Sequence, residues 1–185
     1  MDSVLATDGW LRGVRHLSSP NCNHRPDNIT VDLLVIHNIS LPPNQFGGNF
    51  VEALFCNVLD CDAHPYFEQL RDLRVSAHFF IHRSGEVTQF VSLDQRAWHA
   101  GVSQWCGREN CNDFSVGIEL EGADTIAYTD EQYTALQKLA REVMQYFPSI
   151  TMERIVGHSD IAPARKTDPG AAFDWSRFRS GLFSQ

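Results

Sequence analysis

With 185 residues, 43% of them hydrophobic and 21% charged, the chain is long enough to bury roughly 70% of its unfolded surface in one core, without disulfides or a structural metal. Its net charge of −8 argues against partners won by overall positive charge, such as nucleic acid or an anionic membrane, and no apolar run approaches the roughly 18 residues of a membrane span. Five cysteines, an odd number, fit free thiols in a reducing cytoplasm, and Met1 to Gly9 lacks the basic start and apolar run of a secretory signal.

Residues 1–30 are rich in Ser, Pro, Asn and Asp and have no period, which predicts an irregular arm. Residues 31–36 read as a strand buried on both faces, and its aliphatic run ends at His37. Two prolines and two glycines then make residues 38–48 a loop, and Asn49 is placed to cap a short helix. From Ala77 to Ser92 the residues alternate around Ser84-Gly85, as in a hairpin. The stretches Trp98–Gly101 and Trp105–Asn112 read as loops, and Phe114–Leu120 as a second buried strand. Thr129-Asp130-Glu131-Gln132 is a capping box opening a helix whose stripe, Tyr133, Leu136, Leu139, Ala140, Val143, Met144 and Phe147, runs until Pro148. A short apolar run, Ile155-Val156, leads into a polar loop, and a last helix starts at Asp174. Strands interleaved with helices give an α/β (α+β) class: a mixed central sheet flanked by helices, in a single domain spanning residues 1–185.

Three of the strand-like runs deliver a functional side chain at or just beyond their C-terminal ends, where sheets with parallel strands build their sites. The Gly157–Gly170 loop carries His158, Asp160, Lys166 and Asp168, enough for one imidazole, one carboxylate and a nearby cation. Catalytic zinc takes three protein ligands, and His37 is the best donor for the third. Glu119 and Glu121 share a strand face, so spacing alone leaves both open as the carboxylate of the site. The Cys56-x4-Cys61 and Cys106-x4-Cys111 pairs depart from zinc-knuckle spacing and read as ordinary thiols. His16, His24 and His64 read as surface residues, His78 and His82 as structural ones sharing a strand face, and His99 as a candidate for the pocket wall. These residues point to a zinc hydrolase without naming its substrate.

His37-Asn38-Ile39-Ser40, Arg74-Val75-Ser76-Ala77-His78, Trp98-His99-Ala100-Gly101, Gly117-Ile118-Glu119-Leu120-Glu121 and the loop from Gly157-His158 to Pro169-Gly170 occur in this order. With these motifs the chain resembles the zinc-dependent N-acetylmuramoyl-L-alanine amidases, above all the cytoplasmic ones that act on anhydro-muropeptides in peptidoglycan recycling. Phage amidases and peptidoglycan recognition proteins are related to the same group. The resemblance implies zinc on His37, His158 and Asp168, Glu119 as acid/base, and Lys166 as the cation near the reacting carbonyl. It also implies a substrate cleft lined by Asn38, Arg74 and Trp98. The implied substrate is a muropeptide with anhydro-N-acetylmuramic acid on L-alanine, with no nucleic-acid, membrane or obligate protein partner. Two alternatives stand beside this reading: an amidase of intact peptidoglycan, and a muropeptide sensor without turnover. The chain departs from the family in having Asn110 where an arginine is frequent, with Arg108 two residues earlier. Asp168 and Lys166 separate it from the branches that use Cys and Tyr at those places.

Overall fold

The aliphatic run Leu33 to Ile36 is buried on both faces because it lies inside a six-stranded sheet. In the computed structural model residues 8–182 are described, so the first seven residues of the expected arm, and residues 183–185 of the expected domain, lie outside the description. In chain order the elements are β1 (Arg15–His16), β2 (Cys22–His24), β3 (Leu33–Ile39), α1 (Phe50–Phe55), β4 (Phe79–Ile81), β5 (Val87–Gln89), β6 (Gln95–Ala97), β7 (Gln104–Trp105), β8 (Arg108–Glu109), β9 (Ser115–Glu121), α2 (Asp130–Tyr146), β10 (Ile155–Gly157), α3 (His158–Ile161) and α4 (Trp175–Gly181). The main sheet has the order β1-β5-β4-β9-β3-β10. Strands β4, β9, β3 and β10 run parallel, while β5 returns antiparallel beside β4, so the sheet is mixed as expected.

Alternation divides the sheet into two unlike faces. Leu34, Ile36, Ile118, Leu120 and Ile81 point to one side, where they pack with Leu136, Leu139 and Val143 of α2 and Phe178 of α4. Leu33, Val35 and Val156 point to the other side, against Phe114 and Ile161, and Phe80 joins Phe55, Phe67 and Phe90 in a neighbouring cluster. His37 and Glu119 continue this second face, so the helix carrying the main core cannot cover them.

Helix α2 begins where its capping box places it. Thr129 Oγ1 accepts from Gln132 N at 3.1 Å, and Thr129 N donates to Gln132 Oε1 at 3.1 Å. The buried Gln132 amide also donates to Ile81 O and Glu121 O, which ties the helix start to the C-terminal ends of β4 and β9.

Two expectations need correction. The N-terminal arm is not wholly irregular: β1 joins the sheet edge beside β5, and β2 pairs with β6. The Trp105–Asn112 stretch contains the β7–β8 hairpin, turned by Cys106 and Gly107 at positive φ, followed by a 3-10 turn at Cys111–Asp113. Strands of two or three residues carry too little alternation to be seen in a sequence.

Thr129 Oγ1 also donates to Arg83 O at 2.8 Å, so removing it breaks both the cap and a contact to the β4–β5 turn. Thr129→Ala is expected to lower unfolding stability by about 1–2 kcal/mol, measured by urea denaturation with an unchanged slope.

Candidate metal centre

The in-register pairing of β3 with β9 sets His37 opposite Glu119. On the other side of β3, Gly157 lies opposite Ile36, so the next residue, His158, arrives beside His37. Asp168 comes from the loop after α3, and that loop is held from outside. Pro169 O accepts from Asn38 Nδ2 at 3.0 Å and from Tyr128 Oη at 2.7 Å, while Asp168 O accepts from Ser159 N at 3.0 Å. Gly170 closes the loop at φ +82°, where a Cβ would stand 2.1 Å from Asp124 Cα, so no other residue fits there.

His37 Nδ1, His158 Nδ1 and Asp168 Oδ2 form a triangle with edges of 2.9, 3.0 and 3.1 Å. His37 and His158 are almost wholly buried, and Asp168 is 9% exposed. A triangle of that size has a circumradius of about 1.7 Å, so one ion can stand about 2.0–2.1 Å from all three atoms, the usual zinc distance. The outer nitrogen of His158 is already committed, with Nε2 donating to Ala100 O at 3.0 Å, which turns the Nδ1 lone pair inward. Burial brings the His37 pKa down to about 4 against the opposing hydrogen bond to Asp168. Burial by itself would raise the Asp168 pKa, but the His158 and His37 rings against its Oδ2 outweigh that and hold the carboxyl below the ordinary range. Two imidazoles and one carboxylate converging on one point are a donor set that suits a divalent ion.

Glu119 stands beside this triangle in a cleft of about 590 Å³. Its Oε2 is fully buried with no hydrogen-bond partner among the described residues. Burial, then the charge of Asp168, pushes its pKa well above the ordinary glutamate value, with Lys166 opposing. The alternatives left open by spacing are occupied. Glu121 accepts from Gly47 N and Arg83 N, and Asp160 Oδ2 accepts from Gly157 N at 2.7 Å as the cap of α3.

Over residues 27–171 the chain matches the family described as N-acetylmuramoyl-L-alanine amidase. It belongs to that family. The chain is 57% identical to the 1,6-anhydro-N-acetylmuramyl-L-alanine amidase AmpD of Escherichia coli (strain K12) over 176 residues, 95% of this chain and 96% of that one. A crystal structure of a Se-Met AmpD derivative superposes with a TM-score of 0.93 at 53% identity, covering 96% of this chain and 99% of that one. The amidase AmiD from E. coli, solved with anhydro-N-acetylmuramic acid-L-Ala-D-γ-Glu-L-Lys, matches at 28% identity and a TM-score of 0.60, over 86% of this chain and 61% of that one.

In this amidase the remaining expected residues fall in different places. Lys166, exposed, and Trp98 both line the cleft. Asn38 lines it too, although its amide is spent on Asp124 Oδ1 and Pro169 O. Arg74 does not line the cleft, although its neighbours Leu73 and Val75 do. Its guanidinium donates instead to Arg71 O and Leu73 O of its own turn. Arg108 also stays away from the cleft: it pairs with Asp32 at 2.8 Å and lies over the Phe114 ring. His78 and His82 do not join the triangle; His78 Nδ1 accepts from Gly117 N, and His82 faces Glu52. His99 lines the cleft and also touches His37 directly, a contact that no local pattern around Trp98 announces. No helix among the described residues is long and apolar enough to cross a membrane.

The raised pKa of Glu119 has a consequence for the metal-free protein. Between the unfolded glutamate pKa, about 4.3, and the raised folded value, the native state keeps a proton that the unfolded state has released, so stability falls as pH rises through that window. Glu119→Gln removes this dependence. Urea titrations of chelator-treated protein are therefore expected to show the variant gaining on wild type from about pH 4.3 upward; a gap that does not change with pH contradicts the assigned burial.

Proposed function

We propose that the chain is a zinc-dependent N-acetylmuramoyl-L-alanine amidase that cleaves the amide between the lactyl group of anhydro-N-acetylmuramic acid and L-alanine in muropeptides. The observation that carries this reading is the triangle of His37 Nδ1, His158 Nδ1 and Asp168 Oδ2 beside Glu119, whose buried Oε2 has no hydrogen-bond partner among the described residues. The anhydro sugar is supported by the activity for which the relative at 57% identity is named, and by the ligand solved with AmiD. Five free cysteines fit a reducing compartment and so a cytoplasmic, recycling role.

In this reading His37, His158 and Asp168 hold the ion. Zinc bound there supplies a Lewis acid for the scissile carbonyl and lowers the pKa of water. Glu119 takes the proton from the attacking water as the carbon–oxygen bond forms, and passes it to the alanine nitrogen as the carbon–nitrogen bond breaks. Its raised proton affinity suits the second half of that task, because an amide nitrogen leaves only once protonated. Lys166, on the cleft wall, faces the negative charge that develops on the carbonyl oxygen. Trp98 and Asn38 wall the cleft around the muropeptide. Arg74 has no part in this reading.

The test uses purified full-length protein, zinc analysis and chromatography of the released peptide. Chelation should abolish cleavage of anhydro-muropeptide and zinc should restore it, with soluble fragments turned over in preference to intact sacculi. Glu119→Ala should keep zinc and lose at least about 100-fold in kcat. Asp168→Ala should lose the metal, since two ligands remain. Near-wild-type turnover by the first variant, or full zinc occupancy in the second, contradicts the assignment.

A further inference from the structure

We propose that His99 is a positioning residue: it fixes which nitrogen of His37 faces the metal site, through a one-way hydrogen-bond relay that ends on a backbone carbonyl. This rests on the metal-site reading above and adds a determinant to it.

The direction of the relay follows from its far end. Ser115 Oγ donates its single proton to Cys111 O at 2.6 Å, and a carbonyl only accepts. Toward His99 Nε2, 3.2 Å away, the hydroxyl therefore has only a lone pair to offer, so His99 carries its proton on Nε2. A neutral imidazole has one N–H, which leaves His99 Nδ1 as an acceptor. That atom lies 2.9 Å from His37 Nε2, which must then be the donor. His37 Nδ1 is left with its lone pair facing His158 Nδ1 and Asp168 Oδ2. Reversing any one of these bonds reverses the rest and takes the Ser115 hydroxyl from the Cys111 carbonyl, leaving it only the longer bond from Phe114 N at 3.3 Å.

The surroundings hold His99 in this role. His99 N and Ala100 N both donate to Asn112 Oδ1, at 3.0 and 2.8 Å, so the loop carrying the ring is pinned. The ring stands edge-on to His37, with centroids 4.9 Å apart and planes at 83°. It rests where Gly117 has no side chain: a Cβ on Gly117 would come within 2.5–2.7 Å of three ring atoms. Gly117 is paired with Val35, two residues before the His37–Glu119 pair, so the bare patch of sheet lies beside the site. His158 takes its orientation from the Ala100 carbonyl, but His37 Nε2 has His99 as its hydrogen-bond partner. A side chain supplies here what a carbonyl supplies there, as expected for the outer contacts of metal-binding histidines.

A ring that merely fills space and a ring that directs a proton respond oppositely to two substitutions. His99→Phe keeps the shape without the acceptor, whereas His99→Asn keeps an acceptor near the Nδ1 position and loses much of the ring. In chelator competition on full-length protein, His99→Phe is expected to weaken zinc binding by about 10–100-fold, with His99→Asn recovering most of it. Ser115→Ala, which frees His99 to protonate on either nitrogen, should shift affinity in the same direction as His99→Phe. ¹⁵N NMR of zinc-loaded wild type should show the His99 proton on Nε2 and a coupling across the His37 Nε2–H···Nδ1 His99 bond, whatever the fate of the variants. A His99 proton on Nδ1, or a Phe variant that binds zinc like wild type while the Asn variant does not, overturns the proposal alone. Wild-type protein that fails to bind zinc overturns the metal-site reading and this inference with it.

Discussion

The parallel, in-register pairing of β3 with β9 is the constraint on which the site depends. Side chains alternate between the two faces of a strand, so a slip of one residue would turn His37 toward α2 and bury it in the main core. The register is held by apolar packing on the face opposite the site, where Leu34, Ile36, Ile118 and Leu120 meet the stripe of α2. The helix therefore acts on the chemistry without touching it. Gln132 adds a second tie at the strand ends, where the polar residues begin.

Beyond that register, the site is a collection of buried polar groups whose costs are offset one by one. His158 Nε2 is satisfied by Ala100 O and Pro169 O by Asn38 and Tyr128, while Asp168 Oδ2 faces the inward lone pairs of two imidazoles, an arrangement that a shared cation would satisfy. Glu119 is the exception. Its Oε2 has no such partner among the described residues, and an unsatisfied buried acceptor costs on the order of 1–3 kcal/mol. Carboxylates nearby do not share this feature: both Glu121 oxygens accept from backbone donors, and the exposed Asp160 accepts from Gly157 N. Under the proposed function, this carboxyl between an acidic neighbour and a lysine serves proton transfer rather than stability.

Much of the fold was legible because its main elements are long and periodic. The Phe114–Leu120 run and the Thr129 capping box became the elements they predict within a residue or so at each end, while the strand expected over residues 31–36 starts two residues later and runs three further, through His37 and Asn38 to Ile39. The short strands β1, β2, β7 and β8 were not legible, since two or three residues carry no period and their pairing is decided by distant partners. Among the candidate site residues, those at strand ends and in the Gly157–Gly170 loop were visible as unusual polar groups after apolar runs. Side chains whose partners are far away in sequence were not. Nothing near Arg74 shows that its guanidinium folds back on its own turn, and nothing near Asp32 in the chain shows that it captures Arg108. The His99 contact is of the same kind: it needs a glycine 18 residues further on to make room.

The central claim is that two imidazoles and one aspartate, distant in sequence, converge on a single divalent ion. X-ray absorption spectroscopy at the zinc edge of the loaded protein tests it most directly. The account predicts one zinc per chain surrounded by nitrogen and oxygen at about 2.0–2.1 Å, with the multiple-scattering signature of two imidazoles and no sulfur. Sulfur at about 2.3 Å, or a protein that retains no zinc while cleaving muropeptide, would contradict it.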